Sequence, residues 1–135
     1  MARTDRGASA VEFAIVLPVL FLVIAGIVDF GRYFFTQIQV TNAAREGARA
    51  AVVLPNPAAT DMTAITQRAL AGVAGVPSTA ATVLTTCPAA SPSNASVRVT
   101  ANFSWIVMGP AIRLVGGNWG LSGPVQATGV MRCGG

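Results

Sequence analysis

The sequence predicts an α+β protein, in which a long N-terminal transmembrane helix continues into a small domain with a second helix and a three-stranded antiparallel sheet. Three observations predict this class. A long apolar run lies near the N-terminus, a helical pattern continues beyond it, and the C-terminal half contains short segments rich in β-branched residues. Of the 135 residues, 53% are hydrophobic and only 10% are charged, whereas soluble domains carry roughly 25% charged residues.

The N-terminus divides into a polar segment and an apolar segment. Residues 1–7, MARTDRG, are short, polar and net positive. Residues 8–28 are apolar except for Ser9 and Glu12. Because about 20 apolar residues suffice to cross the hydrocarbon core of a bilayer, we expect a transmembrane helix over residues 8–28.

This apolar segment is expected to remain as an anchor, since its C-terminal end, IAGIVDFGRYFF, offers no A-x-A site for a signal peptidase. Arg3 and Arg6 precede the span, and positive charge before a span favours a cytoplasmic N-terminus. The sequence therefore predicts a single-pass protein of the inner (cytoplasmic) membrane whose C-terminal domain is extracytoplasmic.

The helical pattern continues from residue 29 to residue 54, outside the membrane. No proline interrupts it before Pro55, and we expect one helix from about Ala8 to about Leu54. The apolar or small positions at spacings of three and four are Tyr33, Phe34, Ile38, Thr41, Ala44, Ala48 and Val52. The many small residues of this half are expected to pack closely on the chain's own domain; they are Ala43, Ala44, Gly47, Ala48 and Ala51.

This long helix has two local features, a proline at position 18 and a pair of opposite charges just after the apolar run. Pro18 removes one backbone hydrogen bond and crowds the carbonyl of Ala14, which predicts a helix kink; a proline that is simply tolerated in a membrane helix is the alternative. Asp29 and Arg32 are three residues apart and can pair. We expect them to mark the exit from the apolar core into the headgroup region.

Residues 55–135 predict a small α/β region. PNPAAT is a turn by composition, and Thr60 or Asp61 can begin a second helix that runs to about Ala74. Three strands are expected over 81–87, 96–105 and 123–133. The middle strand alternates cleanly between apolar and polar residues, a helical turn is expected near 111–115, and Gly129 weakens the last strand.

The chain has two cysteines, Cys87 and Cys133, and no histidine. They are too few and too far apart in sequence for a zinc site or a CxxC redox motif. A disulfide is favoured over two independent thiols, since disulfides persist outside the cytoplasm and Cys133 would otherwise leave the chain end untied.

Catalytic and nucleic-acid functions are not expected. Beyond Glu12 the acids are only Asp29, Glu46 and Asp61, and the sequence shows no paired carboxylates, nucleophile motif or phosphate loop. Nine arginines and no lysine give a net charge of +4, but most of the arginines are scattered rather than clustered. We therefore expect no cofactor, no metal, no nucleic-acid partner and no small-molecule substrate.

The most informative pattern begins at Gly7. GASAVEF has the arrangement G-x-x-x-x-E-[YF], which resembles the processing site of type IV pilin-like proteins of the Flp (tight adherence) branch. The longer run GASAVEFAIVLPVLFLVIAGIVDFGRYF, followed by TNAAREGARAA, resembles the TadE-like family over roughly residues 6–51. The resemblance implies a pilin-like fold and cleavage after Gly7 by a prepilin peptidase, which would remove residues 1–7 as a leader peptide.

Four residues form the expected processing site: Gly7, Ala8, Glu12 and Phe13. A glycine before the cut leaves the backbone accessible to a protease. Cleavage would place an ammonium group on Ala8, one helical turn from Glu12, so the two charges could pair within a chain or between neighbours. The alternative for Glu12 is an interfacial glutamate whose carboxylate reaches the headgroups.

The resemblance implies a minor pseudopilin that takes part in Flp/Tad pilus assembly at the inner membrane. Its partners would be the membrane, the prepilin peptidase, and other pilins or pseudopilins of the same system. Its role would be assembly rather than catalysis. The resemblance leaves open two fates of the protein, entry into the filament or retention in the membrane as an assembly factor. The alternative is an uncleaved single-pass structural component of a secretion or adhesion complex.

Overall fold

The computed structural model describes residues 5–54, 59–87, 93–114, 116–117 and 122–133. The elements in chain order are α1 (Asp5–Val53), α2 (Ala59–Ala71), β1 (Thr79–Thr85), β2 (Asn94–Ser104), α3 (Met108–Leu114) and β3 (Ser122–Arg132). A long apolar N-terminal helix, a second helix and a three-stranded antiparallel sheet confirm the α+β class.

Helix α1 begins at Asp5, earlier than the sequence pattern suggests, and ends at Val53. Gly7 therefore lies within its first turns, although glycine is a poor helix former. Pro18 lies inside the helix, and the kink expected there stays a prediction. The first part of the expected leader, residues 1–4, lies outside the described residues.

The chain divides into two compact units. Unit 1 comprises residues 1–32 and 104–121, and unit 2 comprises residues 33–103 and 122–135. Unit 1 contains the N-terminal part of α1 together with α3. Unit 2 contains the rest of α1, helix α2 and the sheet.

The sheet of unit 2 has the order β1-β2-β3. Strand β1 runs antiparallel to β2, with Thr79 opposite Ala101 and Val83 opposite Val97. The central strand buries every second side chain, as its alternating sequence predicts. The buried side of β2 consists of Ala95, Val97, Val99, Ala101 and Phe103.

Small residues of α1 form its contact surface in unit 2. Gly47 lies where α1 meets both α2 and β2, because a Cβ atom there would lie 2.9 Å from Ala69 Cβ and 2.9 Å from Val97 Cγ1. The four alanines expected to pack on the domain, Ala43, Ala44, Ala48 and Ala51, are all buried. The prediction that small residues permit close packing on the chain's own domain is confirmed.

Two large residues of the same helical pattern, Phe34 and Ile38, are not part of this core. Phe34 and Ile38 are each 59% exposed, whereas Val40, which the pattern omits, is fully buried. The helical spacing of Phe34 and Ile38 therefore does not mark a buried face. Where α1 lies closest to its neighbours, as at Gly47, only small side chains fit, and Phe34 and Ile38 lie elsewhere on its surface.

Gly129 in β3 has a structural role that its poor strand propensity conceals. A Cβ atom at this position would overlap the carbonyl group of Ala44 and crowd the backbone nitrogen of Arg45. The absence of a side chain lets β3 approach the backbone of α1. The expectation that Gly129 merely weakens the strand is therefore incomplete, because glycine is what permits this contact.

Candidate processing and membrane segment

The predicted processing residues lie on an open face of α1. Gly7, Ala8, Glu12 and Phe13 are exposed, and nothing lies within 4 Å of the position that a Cβ atom would occupy at Gly7. Ala8 and Glu12 are four residues apart in one helix, which places them on the same face. An ammonium group created at Ala8 would therefore start one turn from the Glu12 carboxylate.

The bond between Gly7 and Ala8 is part of the helix in the uncut chain. Local unwinding would give a protease access to this bond, and glycine reduces its cost, since it disfavours helix by roughly 1 kcal/mol relative to alanine. The bond lies only a few residues from the beginning of α1 at Asp5, where helices fray most easily. The local structure is thus compatible with cleavage at the predicted place.

The apolar segment of α1 has almost no cover from the rest of the chain. Helix α1 is long and apolar enough to cross a membrane by length and composition. Within residues 8–28 only Ala25 is buried, and side chains such as Phe13 and Ile27 are 67% and 68% exposed. A continuous exposed surface of large apolar side chains indicates a membrane or protein interaction surface.

Asp29 follows this segment directly, and its side chain is fully buried. Its carboxylate oxygens accept hydrogen bonds from the backbone N–H groups of Val107 at 2.9 Å, Met108 at 2.8 Å and Ile106 at 3.3 Å. Arg32 Nη1 lies 3.3 Å from Asp29 Oδ1. The pair expected from the sequence is present, and the chain's own residues 106–108 cover the Asp29 carboxylate.

The carboxylate of Asp29 caps helix α3, which begins at Met108. The first N–H groups of a helix have no partner within it, and a carboxylate at this end also interacts favourably with the helix dipole. Burial by itself raises the pKa of Asp29. Hydrogen bonds from the three backbone donors and from Arg32 lower the pKa by more than burial raises it, so it lies below the ordinary value of 3.8. Asp29 is thus held as a charged capping residue.

Two further contacts within unit 1 hold the residues around the start of α3 against α1. The rings of Phe30 and Trp105 meet edge to face with centroids 5.2 Å apart. A Cβ atom at Gly26 would lie 3.9 Å from the sulfur of Met108. Together with the Asp29 hydrogen bonds, these contacts fix the residues before and at the start of α3.

The far end of α3 is also capped. Gly117 N donates to Ile112 O at 2.9 Å, and Gly116 N donates to Arg113 O at 3.1 Å. This pair of bonds is the Schellman motif, which requires a residue with positive φ; Gly116 has φ 80°. Helix α3 is therefore satisfied at both ends although it is short.

Cys87 and Cys133 are joined by a disulfide and are both buried. The bond connects the residues that follow β1 and β3, across a sequence separation of 46. Cys133 N also donates to Ser93 O at 2.8 Å, which ties the end of β3 to the residue before β2. The C-terminal strand is thus held at its end within unit 2.

These features fit a single-pass membrane protein with a small α+β domain. Residues 7–49 match the family model described as TadE-like protein, which confirms the resemblance over that segment. The TadE-like family is one of structural pilus components, and the match together with the apolar helix fits a component of the Tad pilus. No curated protein and no solved structure matches the chain.

The matched segment ends inside α1. It includes the predicted processing residues, Asp29 and most of the buried small residues of α1. It does not include α2, the sheet, the disulfide or α3. Asp29 therefore connects the matched segment with α3, which lies outside it.

Proposed function

We propose that this protein is a minor pseudopilin of the TadE-like type, which a prepilin peptidase processes after Gly7 and which takes part in Flp/Tad pilus assembly at the inner membrane. The observation that carries the proposal is the TadE-like match over a helix whose glycine–glutamate motif lies exposed at the start of an uncovered apolar segment. The exposed motif is accessible to a peptidase, and the exposed apolar segment is a surface on which other helices can pack.

Processing would convert Glu12 from an isolated acid into half of a charged pair. The cut chain would begin with an ammonium group on Ala8, close to the membrane face. A neighbouring subunit could offer that ammonium to Glu12, and a charge in an apolar environment is tolerable mainly when it is paired. The pair would set the axial position of one helix against the next.

The apolar residues of α1 would supply the packing surface of the assembly step. In the membrane this surface contacts lipid, and in a filament it would contact the helices of other pilins or pseudopilins. Exchange of lipid for protein neighbours leaves the surface covered in both states. The basic residues before the span support a cytoplasmic N-terminus and an extracytoplasmic domain.

Substitution of Gly7, with Gly31 as the matched control, tests the proposal. Both glycines lie in α1, are exposed, and have nothing within 4 Å of the position that a Cβ atom would occupy. Gly7→Val should prevent removal of residues 1–7 in a strain with an active peptidase, as measured by the mass of the membrane-extracted protein. Gly31→Val should leave processing intact.

The same experiment distinguishes the alternative, an uncleaved single-pass structural component of a secretion or adhesion complex. In that case Gly7→Val and Gly31→Val would both retain the mass of the full chain, as the unsubstituted protein would. Pilus production would also be unaffected by Gly7→Val. Either finding would contradict the processed pseudopilin.

A further inference from the structure

We propose that residues 105–114, named here the interfacial segment, lie in the surface of the membrane that α1 crosses and form a second lipid contact. The proposal rests on the membrane placement of α1 given above. It adds a lipid-binding surface that the family match does not include, since the match ends at residue 49.

The contacts of the interfacial segment place it beside the end of the span. Met108 lies near Gly26, within the expected transmembrane residues, and Trp105 packs on Phe30. Asp29 between them binds three consecutive backbone N–H groups of the segment. If residues 8–28 cross the bilayer, the interfacial segment must lie at the level where the hydrocarbon core meets the headgroups.

The composition of the interfacial segment suits the boundary between the hydrocarbon core and the headgroups. Its sequence, WIVMGPAIRL, contains no acid and one base. Ile106 is 59% exposed, although the segment folds against the protein. Tryptophan is enriched at membrane interfaces, where its apolar ring and its polar N–H group meet different surroundings.

The charges around the interfacial segment are complementary to anionic lipid. Arg113 is exposed, and the side chain of Arg32 is 42% exposed. The acid beside them, Asp29, is buried and points its oxygens at backbone N–H groups. Arg113 thus presents a guanidinium group that can bind lipid phosphates, while Arg32 is paired with the shielded carboxylate of Asp29.

Continuity with the span favours lipid over a protein partner as the occupant of this surface. An apolar side chain fixed beside the end of a transmembrane helix meets the bilayer without any further binding event. Ile106 can insert among the upper acyl chains, and Arg113 can reach the phosphates by extending its stem. A protein partner would leave the segment in water until it bound.

Quenching of Trp105 fluorescence by brominated lipids tests the proposal. The experiment uses the full chain with Trp119→Phe, so that Trp105 is the remaining tryptophan. This variant is reconstituted in vesicles of phosphatidylethanolamine and phosphatidylglycerol. Bromine is placed either near the headgroup end or deep in the acyl chains. We expect a larger loss of Trp105 fluorescence with shallow bromine than with deep bromine, and little quenching by aqueous iodide.

Two substitutions make the result specific. Ile106→Glu should reduce the quenching by shallow bromine, since it places a charge where we expect acyl chains. The backbone N–H group of residue 106 that binds Asp29 remains in this variant. Val130→Glu is the matched control, because Val130 is similarly exposed at 58% but belongs to unit 2; it should leave the quenching unchanged.

A reporter within the span separates this inference from the proposed function. Phe21→Trp, in a chain that also carries Trp105→Phe and Trp119→Phe, should be quenched by deep bromine. If this reporter is quenched but Trp105 is quenched only by iodide, the interfacial segment is not in lipid and the membrane placement stands. If the reporter is also insensitive to bromine, both the membrane placement and the interfacial segment are overturned.

Discussion

Asp29 is a buried carboxylate whose partners are mainly backbone N–H groups from a distant part of the chain. The hydrogen bonds of 2.8 and 2.9 Å to Met108 and Val107 are short, as expected when the acceptor is charged. Arg32 supplies a partly exposed countercharge at 3.3 Å. The residue therefore joins the matched N-terminal segment to α3 and explains why an acid directly follows the apolar run.

Asp29→Asn should weaken this connection. The variant loses the charge, and the amide group of asparagine would bring N–H donors toward backbone N–H groups. A loss of about 1–3 kcal/mol in local stability is expected, because hydrogen bonds to a buried charged group are worth about this much. Hydrogen exchange of the amides of Ile106, Val107 and Met108 should become faster in membrane-reconstituted protein.

The control for Asp29→Asn is Glu46→Gln. Glu46 pairs with Arg68 at 3.5 Å, but both side chains are substantially exposed. Exposed pairs contribute about 0–1 kcal/mol, so this variant should leave the exchange of residues 106–108 unchanged. Equal exchange in the Asp29→Asn variant and the unsubstituted protein would refute the capping role.

Gly129→Ala should destabilise unit 2, because its methyl group would overlap the backbone of α1 at Ala44. Overpacking costs typically about 1–3 kcal/mol, and a backbone contact relaxes less easily than a side chain. The measurement is denaturant unfolding followed by circular dichroism. Gly123→Ala is the matched control: it lies in the same strand with nothing within 4 Å, and should unfold like the unsubstituted protein.

Glu12→Gln separates recognition by the peptidase from assembly. The substitution keeps the shape of the side chain and removes the charge that would pair with the ammonium group of Ala8. We expect normal removal of residues 1–7, measured by mass, and loss of pilus assembly, measured by the sheared pilus fraction. Assembly at the level of the unsubstituted protein would show that the Glu12 charge has no role in docking.

At the scale of elements, the sequence predicts the order and type of the helices and strands correctly. Strand β2 is predicted because its period of two is unbroken from Val97 to Phe103, and the structure buries that face. Helix α1 is predicted because no proline after Pro18 interrupts it before Pro55. Local patterns of this kind report on local structure, which is why they suffice here.

Contacts between distant elements were not predictable from the same patterns. The partners of Asp29 lie 77 to 79 residues further along the chain and are backbone groups, so no side-chain signal identifies them. The close approach of β3 to α1 explains Gly129, but a glycine in a strand indicates only that some such approach is present. The processing residues are predicted by their motif, and the geometry adds that they are exposed.

The disulfide belongs to the same scale, because it holds the ends of two strands. On the chain-entropy model, closure of a loop of 46 residues stabilises the folded protein by about 4 kcal/mol. The double variant Cys87→Ser with Cys133→Ser should therefore lose about 4 kcal/mol of unfolding free energy. Thermal unfolding measures the loss as a lower midpoint.

Reducing agent provides the control for the disulfide variant. It should lower the unfolding midpoint of the unsubstituted protein toward that of the double variant and leave the double variant unaffected. A midpoint that does not respond to reduction, with the thiols shown to be free, would contradict the stabilising role of the bond. The comparison uses the full chain in the same detergent throughout.

At the scale of the whole molecule, the chain has two compact units, and the proposed functional residues lie in one of them. Unit 1 contains the exposed apolar segment, the processing residues and the interfacial segment, which together would interact with membrane, peptidase and neighbouring subunits. Unit 2 contains the sheet, α2 and the disulfide, and has a core built on small residues of α1. Residues of α1 belong to both units.

The central claim is that the functional protein begins at Ala8. The most direct test is the N-terminal sequence and intact mass of the protein extracted from the membrane of a strain with an active prepilin peptidase, compared with a strain that lacks the peptidase. We predict an N-terminus at Ala8 in the first strain and the full chain in the second. An N-terminus at Met1 or Ala2 in the strain with active peptidase would contradict the account.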